Sequence, residues 1–138
     1  MPTYLEERAE VILQEAQAVT LASIAEEGYP RPMAMTKIFS KGIQEIYFET
    51  VERAEGPTKV KQFLANNKAG LEFHKGNDTV TIFGEIEVID DKATIEEIRS
   101  LAKKVYFQNA ERENYRLLKF TAKRALFAID GQFKRQEY

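Results

Sequence analysis

Arg31 stands between two prolines in "GYPRPMAMTK", Gly28 to Lys37, and Thr58 and Lys59 follow a proline in "EGPTKVKQF". Arginine carries a planar fork of N–H donors suited to gripping phosphate bidentately. Pro30 and Pro32 each restrict the preceding residue to extended geometry, so Tyr29 and Arg31 are held extended and the guanidinium takes a set direction. With Pro57 at the first helical position, the amides of Thr58 and Lys59 are left to face a ligand at the positive end of a helix. The Thr58 hydroxyl and the Lys59 ammonium complete a compact phosphate seat. An ordinary helix start with solvated polar residues also fits the second string, and a solvated edge charge also fits Arg31. Convergence of Arg31 and Lys59 on one place separates these alternatives.

Other chemistry has little to work with. His74 is the only histidine and there is no cysteine, so Ser-His-Asp, Cys-His and two-histidine metal sites have no parts, and no metal site is expected. His74 precedes a turn and is expected to be a partly exposed hairpin residue. Glu85 and Glu87 share a strand face, which alternation explains without chemistry. No GxGxxG or GxxxxGK[ST] string occurs, which removes the usual dinucleotide and P-loop cradles.

The elements that must position these residues can be read from periodicity. Leu5, Ala9, Ile12, Leu13 and Ala16 recur at helical spacing, predicting a helix from Thr3 to about Gln17 with Thr3 as N-cap and Glu6 completing a capping box. "AVTLASIA" predicts a strand, "MAMTKIFS" a second, and "IQEIYFET" a third, its Ile46 and Phe48 facing inward and Glu45, Tyr47 and Glu49 facing water. Pro57 opens a short helix with Val60, Phe63 and Leu64 as its apolar stripe. "AGLEFH" and the long "TVTIFGEIEVID" follow, the latter with Gly84 marking a bulge or bend. A further helix, started by Asp91 or by Thr94 with Glu97, carries Ile95, Ile98, Leu101, Ala102 and Val105. Asn109 to Lys119 is expected to be partly helical, and "RALFAIDGQFKRQ" closes the chain as a strand or a bent pair. Hairpin-linked strands with short helices predict an α+β fold, an antiparallel split β-barrel, rather than βαβ units.

The chain of 138 residues, with 43% hydrophobic and 30% charged residues and a formal net charge of -2, fits one domain over residues 1–138 with a sizeable core. The overall basic field that attracts phosphate polymers is missing, so nucleic acid is not an expected partner. Glu6 and Glu7 lie where a secretory signal needs basic and then apolar residues, and no apolar run reaches the roughly 20 residues of a membrane span. A cytoplasmic protein is expected.

The order of these elements resembles the pyridoxamine 5′-phosphate oxidase-like split barrels, most closely their general stress protein branch. The motifs are "VTLASIAEEGYPRPM", "IYFET", "TKVKQFLANNKAGLEF" and "VTIFGEIEVIDD". The resemblance implies a flavin mononucleotide-binding protein, a flavin-dependent oxidoreductase in the family sense, acting on a small molecule and built as a homodimer with cofactor sites at the interface. It assigns Arg31, Pro32, Met33 and Ala34 to the flavin ring and phosphate, Phe48 and Thr50 to the ribityl-phosphate region, and Thr58 and Lys59 to the phosphate. Phe127 or Phe133 would stand in for the C-terminal tryptophan of related proteins. The alternatives within this fold are a non-enzymatic flavin- or ligand-binding module and a haem- or deazaflavin-binding barrel. In the connection after Thr50, Glu52 and Glu55 bring negative charge that Arg53 is placed to offset.

Overall fold

The computed structural model describes residues 1–105 and 113–138. Helix α1 spans Tyr4–Glu15, and its Thr3 cap is realised in full: Thr3 Oγ1 accepts from the Glu6 amide at 3.1 Å while the Glu6 carboxylate accepts from the Thr3 amide at 3.0 Å. Thr3→Ala is expected to lower stability by about 1 kcal/mol, a fall in melting temperature of roughly 3 °C by calorimetry.

Eight strands follow among the described residues: β1 (Val19–Ile24), β2 (Pro30–Met35), β3 (Lys37–Lys41), β4 (Glu45–Val51), β5 (Lys68–Lys75), β6 (Asp78–Ile89), β7 (Tyr115–Ile129) and β8 (Gln132–Glu137). Helix α2 (Lys59–Ala65) lies between β4 and β5, and α3 (Lys92–Leu101) between β6 and β7. All pairings are antiparallel, in the order β2-β1-β5-β6-β7-β4-β3, with β8 added to β7. The two ends of that path, β2 and β3, are joined through Thr36 alone. Neighbouring Cα atoms are about 3.8 Å apart, so the sheet must curl until its edges meet. That closure makes the barrel, and it splits "MAMTKIFS" into two strands at opposite ends of the sheet instead of one.

The barrel interior is filled by Leu21, Phe48, Phe73, Ile82, Leu118 and Phe120, and α1 plugs it with Ala9, Ile12 and Leu13. A second cluster lies on the other face of β4, where Tyr47, Ile89 and Leu117 meet Ile95 and Ile98 of α3. The face of β4 expected to be wet is therefore covered. Glu49 is buried there and accepts hydrogen bonds from Arg99 and, at 2.6 Å, from the Tyr115 hydroxyl. Asp91 is the N-cap of α3, accepting from the Thr94 amide at 2.9 Å, and the helix ends at Leu101, short of Val105. Leu64 is exposed, so the stripe of α2 is Val60 and Phe63.

Gly84 sits where the β6–β7 register shifts, with Phe83 opposite Arg124 and Gly84 opposite Ala122. The extra residue is Lys123 on β7. At this bulge β7 exchanges β4, its partner through Thr121, for β8, its partner from Arg124. Tyr115 to Lys119 belong to β7 rather than to a helix, and Asn109 to Arg112 lie outside the described residues.

Candidate functional site

The two prolines are explained by the phase of the β1–β2 hairpin. Across its turn, with Gly28 at φ +92°, the Ala25 amide donates to the Tyr29 carbonyl at 2.8 Å. The pairing of Ser23 with Arg31 and Leu21 with Met33 continues that hydrogen-bonded series. The backbones of Pro30, Pro32 and Ala34 therefore point away from β1, to the unpaired edge. A proline there removes only a donor that no strand uses.

Arg31 and Ser23 are cross-strand partners and share a face. Lys59 and Gln62, three apart on α2, project against them. Lys59 is only 4% exposed. Its ammonium donates to Ser23 Oγ at 2.9 Å and to the Arg31 carbonyl, and lies 5.9 Å from the centre of the Phe63 ring. Ser23 in turn donates to Gln62 Oε1 at 2.6 Å, and the same oxygen accepts from Arg31 Nη1 at 3.4 Å. Glu26 reaches the group only through Gln62 Nε2, at 3.4 Å. Among the described residues neither Lys59 nor Arg31 forms an ion pair. Burial, and then the neighbouring Arg31 charge, push the Lys59 ammonium down to about 8.

Two cations thus converge with no carboxylate in contact. Charges taken out of water are normally paired, so this arrangement is suited to an incoming anion.

Helix α2 begins at Lys59, two residues later than the expected start at Pro57, which lies outside the helix just before its N-cap. Thr58 is the N-cap, nearly buried, its Oγ1 accepting from the Lys61 amide at 3.1 Å. The first-turn amides without an intrahelical acceptor are those of Lys59 and Val60. Pro32, Met33 and Ala34 are exposed along β2. Phe48 and Thr50 are placed differently: Phe48 is fully buried in the barrel core and Thr50 is half-buried on β4 opposite Arg116. Phe127 is likewise core, whereas Phe133 on β8 is 83% exposed. Glu52 is paired with Arg116 at 3.5 Å and not with Arg53, which instead donates to the Pro57 carbonyl at 3.4 Å. His74 is an exposed hairpin residue bonded to Glu72 at 2.6 Å.

Ser23 and Gln62 escaped the sequence reading. Ser23 had a signal: Val19 and Leu21 precede it at strand spacing, so a polar residue takes the third inward position. Gln62 had none beyond its helical spacing from Lys59.

The family model for pyridoxamine 5′-phosphate oxidase matches residues 5–128. The chain belongs to the pyridoxamine 5′-phosphate oxidase family. Among solved structures it is similar to a Clostridium acetobutylicum protein related to general stress protein 26 of B. subtilis, at 19% identity and TM-score 0.79, covering 99% of this chain and 96% of that one. It is also similar to general stress protein 26 from Bacillus anthracis strain Sterne, at 20% identity and TM-score 0.73, covering 97% and 100%. A heme binding protein from Mycobacterium smegmatis shares the fold at 15% identity and TM-score 0.76, with 99% of this chain spanning 59% of that one. No curated protein matches the chain. As a member of this family the chain is a split barrel with general stress protein neighbours. No helix among its described residues is long and apolar enough to cross a membrane.

Proposed function

We propose that this chain binds flavin mononucleotide, its phosphate held by Arg31 and Lys59 and its ring system laid along Pro32, Met33 and Ala34. The observation that carries this reading is the convergence of the two cations on Gln62 and Ser23 without an acidic partner. The residues suit a phosphate ester: the ammonium supplies a point charge, the guanidinium a second one, and the amides of Lys59 and Val60 lie at the start of α2. Small Ala34 and polarizable Met33 leave the unpaired edge of β2 open to a flat ring.

A bound flavin supplies hydride and electron transfer, and the chain supplies position and field. Ser23 and Gln62 hold Lys59 in place, and the positive charge near the ligand favours its anionic forms. One chain offers β2 as a single wall, which supports a homodimer whose partner completes the site. Such a dimer acts as an oxidoreductase on a small molecule.

Purification without added cofactor, followed by a visible spectrum and the mass of any released ligand, tests this reading. A yellow protein releasing flavin mononucleotide supports it. A colourless protein that takes up no added flavin, or one releasing haem or a deazaflavin, overturns it. Reduction of the bound flavin by a nicotinamide donor separates an oxidoreductase from a passive binder.

A further inference from the structure

A cleft of about 240 Å³ opens between β3 and the end of α3, its lining including Gln14, Lys37, Phe39, Ser40, Leu101 and Lys103. It shares no residue with the group around Lys59. Arg31 and Met35 are separated by about 13 Å of extended strand, and Lys37 lies beyond Met35 and Thr36.

Among the described residues the lining holds lysines and no carboxylate. Lys103 and Lys104 follow the C-terminus of α3, where the helix dipole favours cations. That does not account for Lys37, which is half-buried on a strand. Among the described residues the Lys37 and Lys103 side chains make no hydrogen bond or ion pair, and each repels the other: burial and Lys103 hold the Lys37 ammonium below its usual range. Gln14 Nε2 donates to Ser40 Oγ at 3.0 Å, leaving the Ser40 hydroxyl to donate into the cleft. Phe39, its ring 6.0 Å from that of Tyr47, and Leu101, half exposed, give an apolar wall.

We propose that this cleft is a second anion site, taking a small organic acid or phosphate ester whose charged group lies between Lys37 and Lys103 and whose apolar part rests on Phe39 and Leu101. Its volume is below the roughly 300–1,000 Å³ of cofactor and drug-sized pockets, which selects a fragment-sized ligand. The proposal does not depend on flavin binding.

Titration of the full chain with phenyl phosphate, benzoate and inorganic phosphate, followed by calorimetry and amide NMR, tests it. Saturable shifts of the Lys37, Phe39, Ser40 and Lys103 amides with phenyl phosphate or benzoate, their apparent Kd raised at least 10-fold by Lys37→Met, are the expected result; shifts around Ser23 and Gln62 would instead report occupancy of the Lys59 site. Preference between the two aromatic probes tells phosphate from carboxylate ligands. Lys103→Met lies on exposed chain and gives the same reading if Lys37→Met fails to fold. The site is refuted if no aromatic probe saturates the cleft shifts, if both lysine variants of the cleft bind as the parent does, or if Lys59→Met abolishes the cleft shifts.

Discussion

Lys59→Met is expected to weaken flavin mononucleotide binding by about 10- to 100-fold and to change how stability depends on pH. The affinity loss follows from one charge-assisted hydrogen bond to phosphate, worth about 1.5–3 kcal/mol, at 1.4 kcal/mol per factor of ten. The stability effect has a different origin. Lys59 is protonated inside the protein at neutral pH although burial and Arg31 push its ammonium down to about 8 from 10.5. That difference corresponds to a cost on the order of 3 kcal/mol, set against charge-assisted hydrogen bonds to Ser23 and Arg31 worth about 1.5–3 kcal/mol each. Methionine keeps the buried stem but removes the charge together with both bonds, so gain and loss nearly offset at neutral pH.

The pH dependence follows in sign. Below about 8 both folded and unfolded chains hold the proton, and the cost is fully present. Between about 8 and 10.5 the folded chain has lost the proton that the unfolded chain retains, so the residue's penalty fades as pH rises. The stability of Lys59→Met relative to the parent is therefore highest below pH 8 and falls towards 10.5. Flavin affinity of the parent moves the other way, falling above about 8 as the ammonium discharges. Flavin fluorescence titration and scanning calorimetry across this range measure both. Unchanged affinity would sink the phosphate assignment, and a melting-temperature difference from the parent that does not change between pH 8 and 10.5 would sink the account of Lys59 as a strained cation.

Gly84→Ala is expected to cost at least about 3 kcal/mol, near the upper end for overpacking, because the neighbours cannot yield cheaply. A Cβ at this position meets the Phe120 ring at 2.7 and 2.8 Å and also collides with the Thr121 carbonyl oxygen. Phe120 is fully buried and Thr121 O is main chain, at the bulge where β7 changes partners. Gly70→Ala is the control: its Cβ meets only the Phe83 ring at 3.9 Å, an ordinary contact, and a change of less than about 1 kcal/mol is expected. Denaturant midpoints report both, and a Gly84→Ala midpoint close to that of Gly70→Ala would refute the packing argument.

Local signals located most of the elements. The Thr3–Glu6 capping box, the Asp91 cap and the glycine in β6 act within a few residues or on one strand's own packing, and the folded chain uses each of them. The errors share a cause. "MAMTKIFS" has strand propensity throughout, and nothing local says that its halves join opposite ends of a curled sheet. Glu45, Tyr47 and Glu49 alternate as a wet face does, until α3, contributed from more than 40 residues away, covers Tyr47 and Glu49.

The amino-acid sequence by itself determined that β2 is an edge strand, because prolines two apart silence one edge of a ladder whatever its surroundings. It likewise placed an arginine and a lysine where an anion could be gripped. Only the tertiary structure decided that they meet, that Ser23 and Gln62 brace them, that Phe48 is sealed in the core, and that no acid among the described residues pairs with them. Propensity and periodicity act over a few neighbouring residues. Charge neutralisation and burial are set by what long-range strand pairing and helix docking bring within a few ångströms, and no local pattern carries that information.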